Sequence, residues 1–534
     1  MIAADIATVY EAFAATVRRY PQRPVLNVLP GTAEVYSIKA GEICYEAALL
    51  EIDTLADAFK AAGYTVGMRV ALLLENRPAY FINWLALNKI GASVVPINPD
   101  LRVTELAYII GHSEPALIIA VKSRHDPLIA AAQLAGVELS VIATESAVVP
   151  PVSQAVLARL ECAEAREAAI LYTSGTTGAP KGCILSNAYF LLAGRWYSEV
   201  GGIATLNDDG ERMITPLPIF HMNAMAYSFM AMVAVGGCLT VLDRFHPRSW
   251  WADVRDAKAT CLHYLGVMPT MLMGFEATNE DRAHTVRFGF GAGVDPKLQH
   301  AFEERFGIPL VEAWAMTETG AGAVIAAASE DRLIAQASIG RPAQAVECKL
   351  IDEEGNVVQK GELLVRRAGD NPRYGFFSEY YKDPEATSEA WAGGWFHTGD
   401  IVRKDTDGNY FFVDRKKNVI RRSGENISAV EVESVLMRHC DVLAAGVAAV
   451  PDKVRGDEVF ACLKVSDPGA GKAKEIMAWC LEQMAYYKAP GYIAFIDRLP
   501  LTPTQKIQRA TLKALAASLV DDPDTIVTVH LKKR

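Results

Sequence analysis

The sequence has no pair of closely spaced cysteines, no apolar run long enough to cross a membrane, and little clustered positive charge. Its nine cysteines are scattered without a Cys-x-x-Cys spacing, which argues against a zinc site and predicts reduced thiols in a cytoplasmic protein. The longest apolar candidate, residues 222–235, is interrupted by Asn223 and Ser228, and we predict a buried core helix there. The N-terminal stretch carries an acid at Asp5 and no basic region, so it does not predict a secretory signal peptide.

The overall charge is acidic, with a net charge of −10 and a basic block only in the last three residues. This balance argues against nucleic acid, and against an anionic membrane, as the main partner. A chain of 534 residues, 51% hydrophobic and 22% charged, is typical of a globular protein with two or more domains. In its N-terminal part, helical patterns at 52–62 and 79–90 alternate with strand patterns at 69–75 and 93–98. Such alternation predicts a parallel or mostly parallel sheet covered by helices.

One glycine-rich stretch stands out at residues 173–182, which read Thr-Ser-Gly-Thr-Thr-Gly-Ala-Pro-Lys-Gly. It follows an apolar run at residues 169–172 that predicts a buried strand. Three glycines and four hydroxyl residues within ten positions indicate a loop. Close backbone approach, hydroxyl donors and the charge of Lys181 suit a polyphosphate. The spacing is not that of a Walker A loop, because only two residues separate Gly175 from Gly178.

This decapeptide resembles the phosphate-binding signature of the adenylate-forming superfamily. That superfamily comprises acyl- and aryl-CoA ligases, adenylation domains of peptide synthetases and firefly-type luciferases. The resemblance implies that the loop holds the β- and γ-phosphates of ATP. The nucleotide-binding residues that it identifies in the loop are Thr173, Ser174, Gly175, Thr176, Thr177, Gly178 and Lys181.

A second stretch, residues 311–320, resembles the Tyr-Gly-Met-Thr-Glu motif of the same superfamily. The resemblance implies that the Thr317 hydroxyl contacts the α-phosphate and that the Glu318 carboxylate holds Mg²⁺. Trp314 stands where the family usually has tyrosine, and Ala315 where it usually has glycine. Both positions border the acyl site in the family, so we expect Trp314 to form a wall of a pocket with altered dimensions.

Two further motifs lie between the glycine-rich loop and this stretch. Residues 288–293 end a predicted strand with small residues and resemble the family's adenine platform. His221 resembles the family's aromatic-or-His motif between the acyl pocket and the pantetheine tunnel, and we place it among the catalytic residues. The four methionines at 222, 225, 230 and 232 are expected to fill the core, and the sequence leaves open whether some line the acyl pocket. The nucleotide-binding residues implied by the platform and the 311–320 motif are Gly291, Ala292, Gly293, Trp314, Ala315 and Met316.

Residues further along the chain resemble the family's ribose-binding and hinge motifs. Asp400 can accept hydrogen bonds from both ribose hydroxyls, and Arg415 can donate to the same sugar. Lys417 occupies the family's hinge position. We therefore predict a large N-terminal domain at residues 1–416 and a small C-terminal domain at residues 417–534.

The pattern after the hinge predicts a small α+β domain. Ser428 is expected to cap its first helix, with Glu431 completing a capping box. The resemblance implies a CoA-binding role for the Ser423-Gly424 loop and for Lys488. The predicted elements are helices at 429–438 and 473–484 and strands at 444–450, 459–465 and 492–496.

Lys506 matches the family's C-terminal catalytic lysine, which reaches across the domain interface. The family has glycine where this chain has Gln505, and this difference predicts altered mobility of the loop. The expected fold is α/β, with a large N-terminal domain of helix-covered sheets and a small, mobile α+β C-terminal domain.

The resemblance implies an ATP-dependent, AMP-forming carboxylic acid–CoA ligase that uses Mg²⁺ and proceeds through an acyl adenylate. Crotonobetaine/carnitine–CoA ligases are the nearest group by motif, and the acid is expected to be short-to-medium chain, aromatic or carnitine-like. The expected partners are the acid, ATP and CoA, and a homodimer is left open. Two alternatives also stay open: an enzyme that loads a carrier protein, although few residues follow Lys506, and a non-catalytic nucleotide-binding relative.

Overall fold

A computed structural model describes the protein over six ranges and places their strands in three sheets. Strands and helices are numbered in chain order below. Within the described part of the chain, no helix is long and apolar enough to cross a bilayer. The described ranges are 2–144, 148–152, 162–173, 179–415, 419–501 and 507–533.

The first sheet has six strands, and all but its last strand run parallel. Its central strands are buried along most of their length, as expected where helices cover both faces of a parallel sheet. This result confirms the predicted alternation of helices and parallel strands. In spatial order the strands are β6 (Ser140–Ala143), β5 (Leu117–Ala120), β3 (Arg69–Leu73), β4 (Ser93–Pro96), β7 (Glu167–Thr173) and β8 (Lys181–Ser186).

The second sheet has thirteen strands and is mixed. Its middle strands are parallel, and both ends are antiparallel. In spatial order the strands are β16 (Val346–Ile351), β17 (Lys360–Arg367), β18 (Phe396–Lys404), β19 (Tyr410–Arg415), β15 (Ser338–Pro342), β14 (Ile325–Ala326), β13 (Leu310–Trp314), β12 (Phe288–Ala292), β11 (Cys261–Leu265), β9 (Arg212–Thr215), β10 (Cys238–Val241), β1 (Pro24–Val28) and β2 (Gly41–Cys44).

The third sheet belongs to the C-terminal region and has its own buried apolar core. Together with the other two sheets it confirms the predicted α/β class with a smaller α+β unit at the C-terminal end. Residues 419–428, to which the sequence analysis assigned no strand or helix, form a hairpin whose turn is the Ser423-Gly424 loop. The strands are β20 (Val419–Arg422), β21 (Glu425–Ser428), β22 (Val442–Asp452), β23 (Gly456–Val465), β24 (Tyr492–Phe495) and β25 (Ile526–Val527).

The helices cover these sheets, and their ends follow ordinary capping chemistry. Thr8 and Glu11 form a complete capping box at the start of α1. Pro78 begins α4, and its missing N–H removes no hydrogen bond there, because the first N–H groups of a helix have no partner within the helix. The helices of the large region are α1 (Val9–Arg19), α2 (Pro30–Tyr36), α3 (Tyr45–Ala61), α4 (Pro78–Lys89), α5 (Val103–Ser113), α6 (His125–Leu134), α7 (Asn187–Glu199), α8 (Met230–Val235), α9 (Trp250–Asp256), α10 (Val267–Met273), α11 (Pro296–Phe306) and α12 (Pro384–Ala390). The C-terminal helices are α13 (Ala429–Leu436), α14 (Ala470–Gln483) and α15 (Arg509–Leu519).

The core helix predicted at residues 222–235 is buried, as expected, but it has two parts. Residues Asn223–Phe229 form a π-helix, and α8 continues it. Met225, Met230 and Met232 are fully buried in the core, while Met222 is only partly buried. A π-helical turn inside a helix is rare and is frequently found at functional sites.

Candidate active site

One cavity of about 1120 Å³ lies where the three sheets meet. The large region contributes the carboxyl ends of β7, β11, β12 and β13, and the C-terminal region contributes the turn of the β20–β21 hairpin. Ligands of open α/β sheets bind outside the carboxyl ends of the strands, because backbone N–H groups and loop side chains converge there. The cavity therefore has the location that this class of fold uses for binding.

Two residues of the predicted phosphate loop form its stem. Thr173 ends β7 and pairs in register with Lys181 at the start of β8. Both side chains line the cavity. Lys181 Nζ lies 3.5 Å from Asp383 Oδ2 and 4.9 Å from the centre of the Tyr380 ring. A hydroxyl and an ammonium group thus flank the loop where it meets the cavity.

The Thr317-Glu318 pair follows β13 and lies beside this stem. Glu318 lines the cavity although it is 93% buried (relative exposure 7%). Its Oε1 accepts a hydrogen bond of 2.9 Å from the Tyr380 hydroxyl and one of 3.4 Å from the Thr173 hydroxyl. The Thr317 carbonyl accepts from the Tyr189 hydroxyl at 2.9 Å. The fold therefore brings two predicted motifs, 145 residues apart in sequence, into direct contact.

Tyr380 is a member of this cluster that sequence reasoning missed. Burial raises the pKa of its hydroxyl, and the neighbouring Glu318 charge raises it further, so the group stays protonated and donates. No local pattern distinguishes Tyr380 from Tyr381, whose hydroxyl donates to the exposed Glu114 at 3.0 Å. Only the packing of residues 378–381 against β8 separates their roles.

The predicted adenine platform is held by a second residue to which the sequence analysis assigned no role. Glu312 is buried, and its two carboxylate oxygens accept from the backbone N–H groups of Gly293 at 2.8 Å and Val294 at 3.2 Å. Burial raises the pKa of Glu312. A side chain at Gly291 would lie 2.2 Å from the Tyr264 carbonyl, and Gly293 has φ +82°, so neither glycine can be replaced without strain. Glu312 thus fixes a flat glycine turn at the end of β12.

The side chains of Trp314 and Asp400 form a hydrogen bond with each other and do not line the cavity. Trp314 Nε1 donates to Asp400 Oδ2 at 2.9 Å, and the two residues are 4% and 0% exposed. Neither belongs to the cavity lining, whereas the neighbouring Ala315 and Met316 do. This placement differs from the expectation that Trp314 is a wall of the acyl pocket. The physical reason is that an indole carries a donor that reaches the carboxylate. Arg415 pairs with Asp400 across β18 and β19 in backbone register.

His221 and the Ser423-Gly424 turn lie on the same side of the cavity. His221 Nε2 lies 3.5 Å from Glu425 Oε1, which begins β21. Ser423 and Gly424 have φ of +50° and +91° and form the hairpin turn. A side chain at Gly424 would lie 2.3 Å from Leu265 Cδ1, at the end of β11. The C-terminal hairpin therefore touches the strand ends of the large region at the cavity wall.

Lys488 does not present a free charge to the cavity. Its Nζ lies 2.6 Å from Glu105 Oε1 on α5 and 2.6 Å from Glu431 Oε1 on α13, and it is 5% exposed. Burial alone would lower the pKa of Lys488, but the two carboxylates outweigh it and raise the pKa above its ordinary value. Lys488 also lines the cavity, and its expected CoA contact stays a prediction. The ion triad of Lys488, Glu105 and Glu431 explains why the capping box is incomplete: Ser428 accepts from the Glu431 N–H, while the Glu431 carboxylate binds Lys488.

Several expected site residues lie outside the described ranges, so the structure does not test them. They include most of the phosphate loop, the hinge and the C-terminal lysine with its preceding residue. These residues are Ser174, Gly175, Thr176, Thr177, Gly178, Lys417, Gln505 and Lys506. The side chain of Arg415 is also outside the described part.

Comparison with known protein families gives two matches that together span most of the chain. Residues 13–381 match the model of the AMP-binding enzyme family. Residues 431–506 match the model of the AMP-binding enzyme C-terminal domain.

Curated relatives and solved structures agree with these matches. A crotonobetaine/carnitine–CoA ligase from Citrobacter koseri is 31% identical over 480 residues, covering 87% of this chain and 91% of the relative. A protein of the same description from Escherichia coli is 30% identical over 510 residues, covering 90% and 97%. Among solved structures, a double mutant of o-succinylbenzoate CoA synthetase from Bacillus subtilis, bound with a product analogue, has a TM-score of 0.79 at 22% identity over 94% of this chain and 98% of its own. An amide bond synthetase from Marinactinospora thermotolerans also has a TM-score of 0.79, at 24% identity, covering 95% and 99%.

Proposed function

The chain belongs to the AMP-binding enzyme family, and from this premise we infer that it is an AMP-forming acyl-CoA ligase. It joins a carboxylic acid to CoA with ATP and releases AMP and pyrophosphate. The observation that carries this conclusion is the single cavity in which Thr173, Lys181 and Glu318 share walls with the Ser423-Gly424 turn. A two-step reaction needs one volume that accepts a nucleotide, an acid and a thiol in turn.

In the first step the acid carboxylate attacks the α-phosphorus of ATP, and pyrophosphate leaves. The work of the protein is to hold the reactants in line and to neutralise the charge that accumulates on the phosphate oxygens. Lys181 and the Thr173 and Thr317 hydroxyls supply donors at the end of the cavity beside β7 and β13. We assign to Lys506 the contact that bridges the carboxylate and the α-phosphate.

The donor set at Glu318 fits Mg²⁺. The cation prefers hard oxygen ligands and commonly binds to proteins through one or two carboxylates, with substrate phosphates completing its shell. Glu318 offers a buried carboxylate that faces the cavity, with the Thr173 hydroxyl beside it. When bound there, Mg²⁺ would neutralise phosphate charge. The Tyr380 hydroxyl orients the carboxylate by donating to Oε1.

In the second step the CoA thiol attacks the acyl carbonyl, and AMP leaves. Neither step needs a nucleophile from the protein. His221 and the Ser423-Gly424 turn border the path by which the thiol would reach the acyl carbonyl. Besides Lys488, we assign the CoA phosphates to Arg421, Lys453 and Arg455. All three line the cavity on its C-terminal side.

The division at residues 416 and 417, with Lys417 as the pivot, remains a proposal. The hairpin turn and Lys506 belong to the same small domain, yet they serve different steps. The two lie about 80 residues apart in the small domain's sequence, so we propose that the domain rotates between the steps to present each in turn. The hairpin lies at the cavity in the structure, and we propose that this orientation serves thioester formation.

The acid is proposed to be short-to-medium chain, aromatic or carnitine-like. The cavity near β11 to β13 is lined by apolar side chains such as Phe290, Leu265 and Val324. The relatives named crotonobetaine/carnitine–CoA ligases support a small acid. A cytoplasmic location is proposed because all nine cysteines are free thiols. A homodimer remains an untested prediction.

The test is a panel of carboxylic acids incubated with ATP, Mg²⁺ and CoA, with AMP and thioester measured in the same reaction. We expect equal amounts of the two products for at least one acid. Acid-dependent pyrophosphate release without thioester formation would favour an enzyme that loads a carrier protein. Nucleotide binding with no acid-dependent product would favour the non-catalytic alternative.

A further inference from the structure

The end of the cavity beside the π-helix and strands β11 to β13, where we propose the acid binds, is called the acyl end. Two polar side chains interrupt its otherwise apolar lining. Asn223 and Tyr227 both belong to the π-helix and both line the cavity. They stand at positions i and i+4, and side chains at this spacing lie on one face of a helix. The hydrogen bonds that Asn223 and Tyr227 make within the protein show which of their donor groups are left for a ligand.

The oxygen of the Asn223 side chain is held by a buried histidine. His263 is 0% exposed, and burial lowers its pKa to about 3, so the ring is neutral. Its Nδ1 lies 2.7 Å from Asn223 Oδ1 and 2.9 Å from Ser228 Oγ, and its Nε2 lies 2.9 Å from the Tyr197 hydroxyl. These contacts define the tautomer.

The tautomer follows from Asn223. Its side-chain oxygen Oδ1 has no proton to donate, so it can only accept from the ring nitrogen Nδ1 that lies 2.7 Å away. His263 Nδ1 therefore carries the proton and donates to both Ser228 Oγ and Asn223 Oδ1, while Nε2 accepts from Tyr197. The Asn223 carboxamide is fixed with its oxygen on His263, and its NH₂ group makes no hydrogen bond with the part of the chain that the structure describes. That NH₂ group is available to a molecule in the cavity.

The Tyr227 hydroxyl also lacks a partner. It is buried, with the residue 3% exposed, and it has no hydrogen bond to any described residue. Its ring packs edge-on against Trp196, with centroids 5.6 Å apart, and lies 6.4 Å from Phe290. Buried hydroxyls in native proteins nearly always have a partner, so an unpartnered one in a ligand cavity indicates that the ligand provides it.

The absence of charged residues from the described lining of this part of the cavity limits which chemical groups the ligand can place there. The cavity-lining residues that the π-helix and strands β11, β12 and β13 contribute are all uncharged. A carboxylate at this end would be buried without a counter-ion, which is strongly unfavourable. A trimethylammonium group accepts no hydrogen bond and would leave both donors unpaired, so among the acids proposed above the carnitine-like ones are disfavoured. A neutral oxygen can accept from the Asn223 NH₂ group and from the Tyr227 hydroxyl without that penalty.

Resting on the proposed function, we propose that this end of the cavity selects acids that carry an uncharged oxygen, a hydroxyl or a carbonyl, distant from the reacting carboxylate. Asn223 and Tyr227 bind that oxygen, and His263 is the positioning residue that orients Asn223.

The experiment compares kcat/KM within matched sets of acids of equal length: the hydrocarbon acid, its hydroxy and oxo derivatives, and a trimethylammonium derivative. Straight-chain and aromatic sets are both included, and AMP and thioester are measured together. We expect at least about tenfold preference for the hydroxy or oxo acid in one set, since a site with unpaired polar groups rejects the analogue that lacks the oxygen. The hydroxy and oxo arms show which oxygen is preferred.

Tyr227→Phe should reduce that preference by about tenfold, and Tyr10→Phe is the matched control. Tyr10 donates its hydroxyl to Asp53 at 2.8 Å, outside the cavity, so the preference should be unchanged. His263→Phe should raise KM for the oxygenated acid while leaving KM for ATP unaltered, and His263→Gln, which keeps an N–H donor, should restore part of the effect.

The outcomes separate this inference from the proposed function. Turnover of hydrocarbon or trimethylammonium acids with equal or higher kcat/KM would overturn this inference alone. A preference that survives Tyr227→Phe would do the same. Absence of AMP and thioester with every acid would overturn the proposed function, and this inference with it.

Discussion

The two ends of the cavity differ in how their polar groups are held. At the end beside β7 and β13, Thr173, Glu318 and Tyr380 come from distant parts of the chain and bind one another. At the acyl end, Asn223 and Tyr227 come from one π-helix, and the Tyr227 hydroxyl has no partner in the described chain. The difference indicates that the first end, which we propose binds the nucleotide and call the nucleotide end, is organised without a ligand. By our inference, an oxygen of the acid completes the acyl end.

The largest effect is expected from Lys506→Ala, which tests whether the nucleotide end works independently of the acid. Removing one preorganised charge donor should lower adenylation by roughly 10²–10³-fold, by the same factor for every acid. Thioester formation from supplied acyl adenylate should be much less affected. Rapid-quench measurement of pyrophosphate and thioester checks both. A loss that varies from acid to acid, or that is equal in both steps, would contradict the role given to Lys506.

Tyr380→Phe tests whether Glu318 depends on its buried donor. Losing a hydrogen bond to a metal-binding carboxylate typically costs about 10–100-fold in metal affinity or activity, so the Mg²⁺ concentration for half-maximal rate should rise. Tyr381→Phe is the matched control, because its hydroxyl binds the exposed Glu114 and lies outside the cluster. An Mg²⁺ titration of both variants measures this concentration. Equal values for Tyr380→Phe and Tyr381→Phe would show that Tyr380 does not support Mg²⁺ binding by Glu318.

A pH effect is expected from His263 at the acyl end. Its pKa is about 3 in the folded protein and about 6.5 when unfolded, so the unfolded chain binds the proton more tightly. The stability that depends on a neutral His263 is therefore present above pH 6.5 and is lost as the pH falls toward 3. Between pH 6.5 and 5 the loss is about 2 kcal/mol. Melting temperatures of the wild type and His263→Gln, measured across this range, should converge at the acidic end; parallel curves would be evidence against a neutral, buried ring.

The smallest effect is expected from Trp314→Phe, which tests where Trp314 acts. The change removes the donor to Asp400, and a hydrogen bond to a charged group is worth about 1.5–3 kcal/mol, much of which relaxation can recover. We expect KM for ATP to rise by about tenfold or less, while the ranking of acids stays constant. A changed ranking of the acids would show that Trp314 is, after all, a wall of the acyl pocket.

The sequence predicted those parts of the site in which chemistry is carried by adjacent residues. The stretches at 173–182 and 311–320 each contain several functional positions, so their identity is visible locally. Glu312, Tyr380 and His263 were not assigned roles, because each acts through contacts made across the fold. His263, for example, meets Asn223 from 40 residues away and Tyr197 from 66. No periodicity within a single segment reports such a contact.

Secondary structure shows the same limit. The predicted strands and helices correspond to β3, β4, α3 and α4 because their apolar spacing is set by burial of one element against a sheet. The β20–β21 hairpin was missed because its turn lies in a run of polar residues, Arg421 to Asn426, that resembles a loop. Its register depends on β23, which lies more than 30 residues away.

The ion triad of Lys488 has a consequence for the order in which contacts break. Lys488 and Glu431 both belong to the C-terminal region, whereas Glu105 belongs to the large region. If the C-terminal domain turns as proposed, Lys488 and Glu431 travel together, and only the bond to Glu105 is severed. In every catalytic cycle the Glu105 carboxylate would then be exposed to water once and buried again. The triad would therefore hold the two domains together during thioester formation and release them before the next ATP binds.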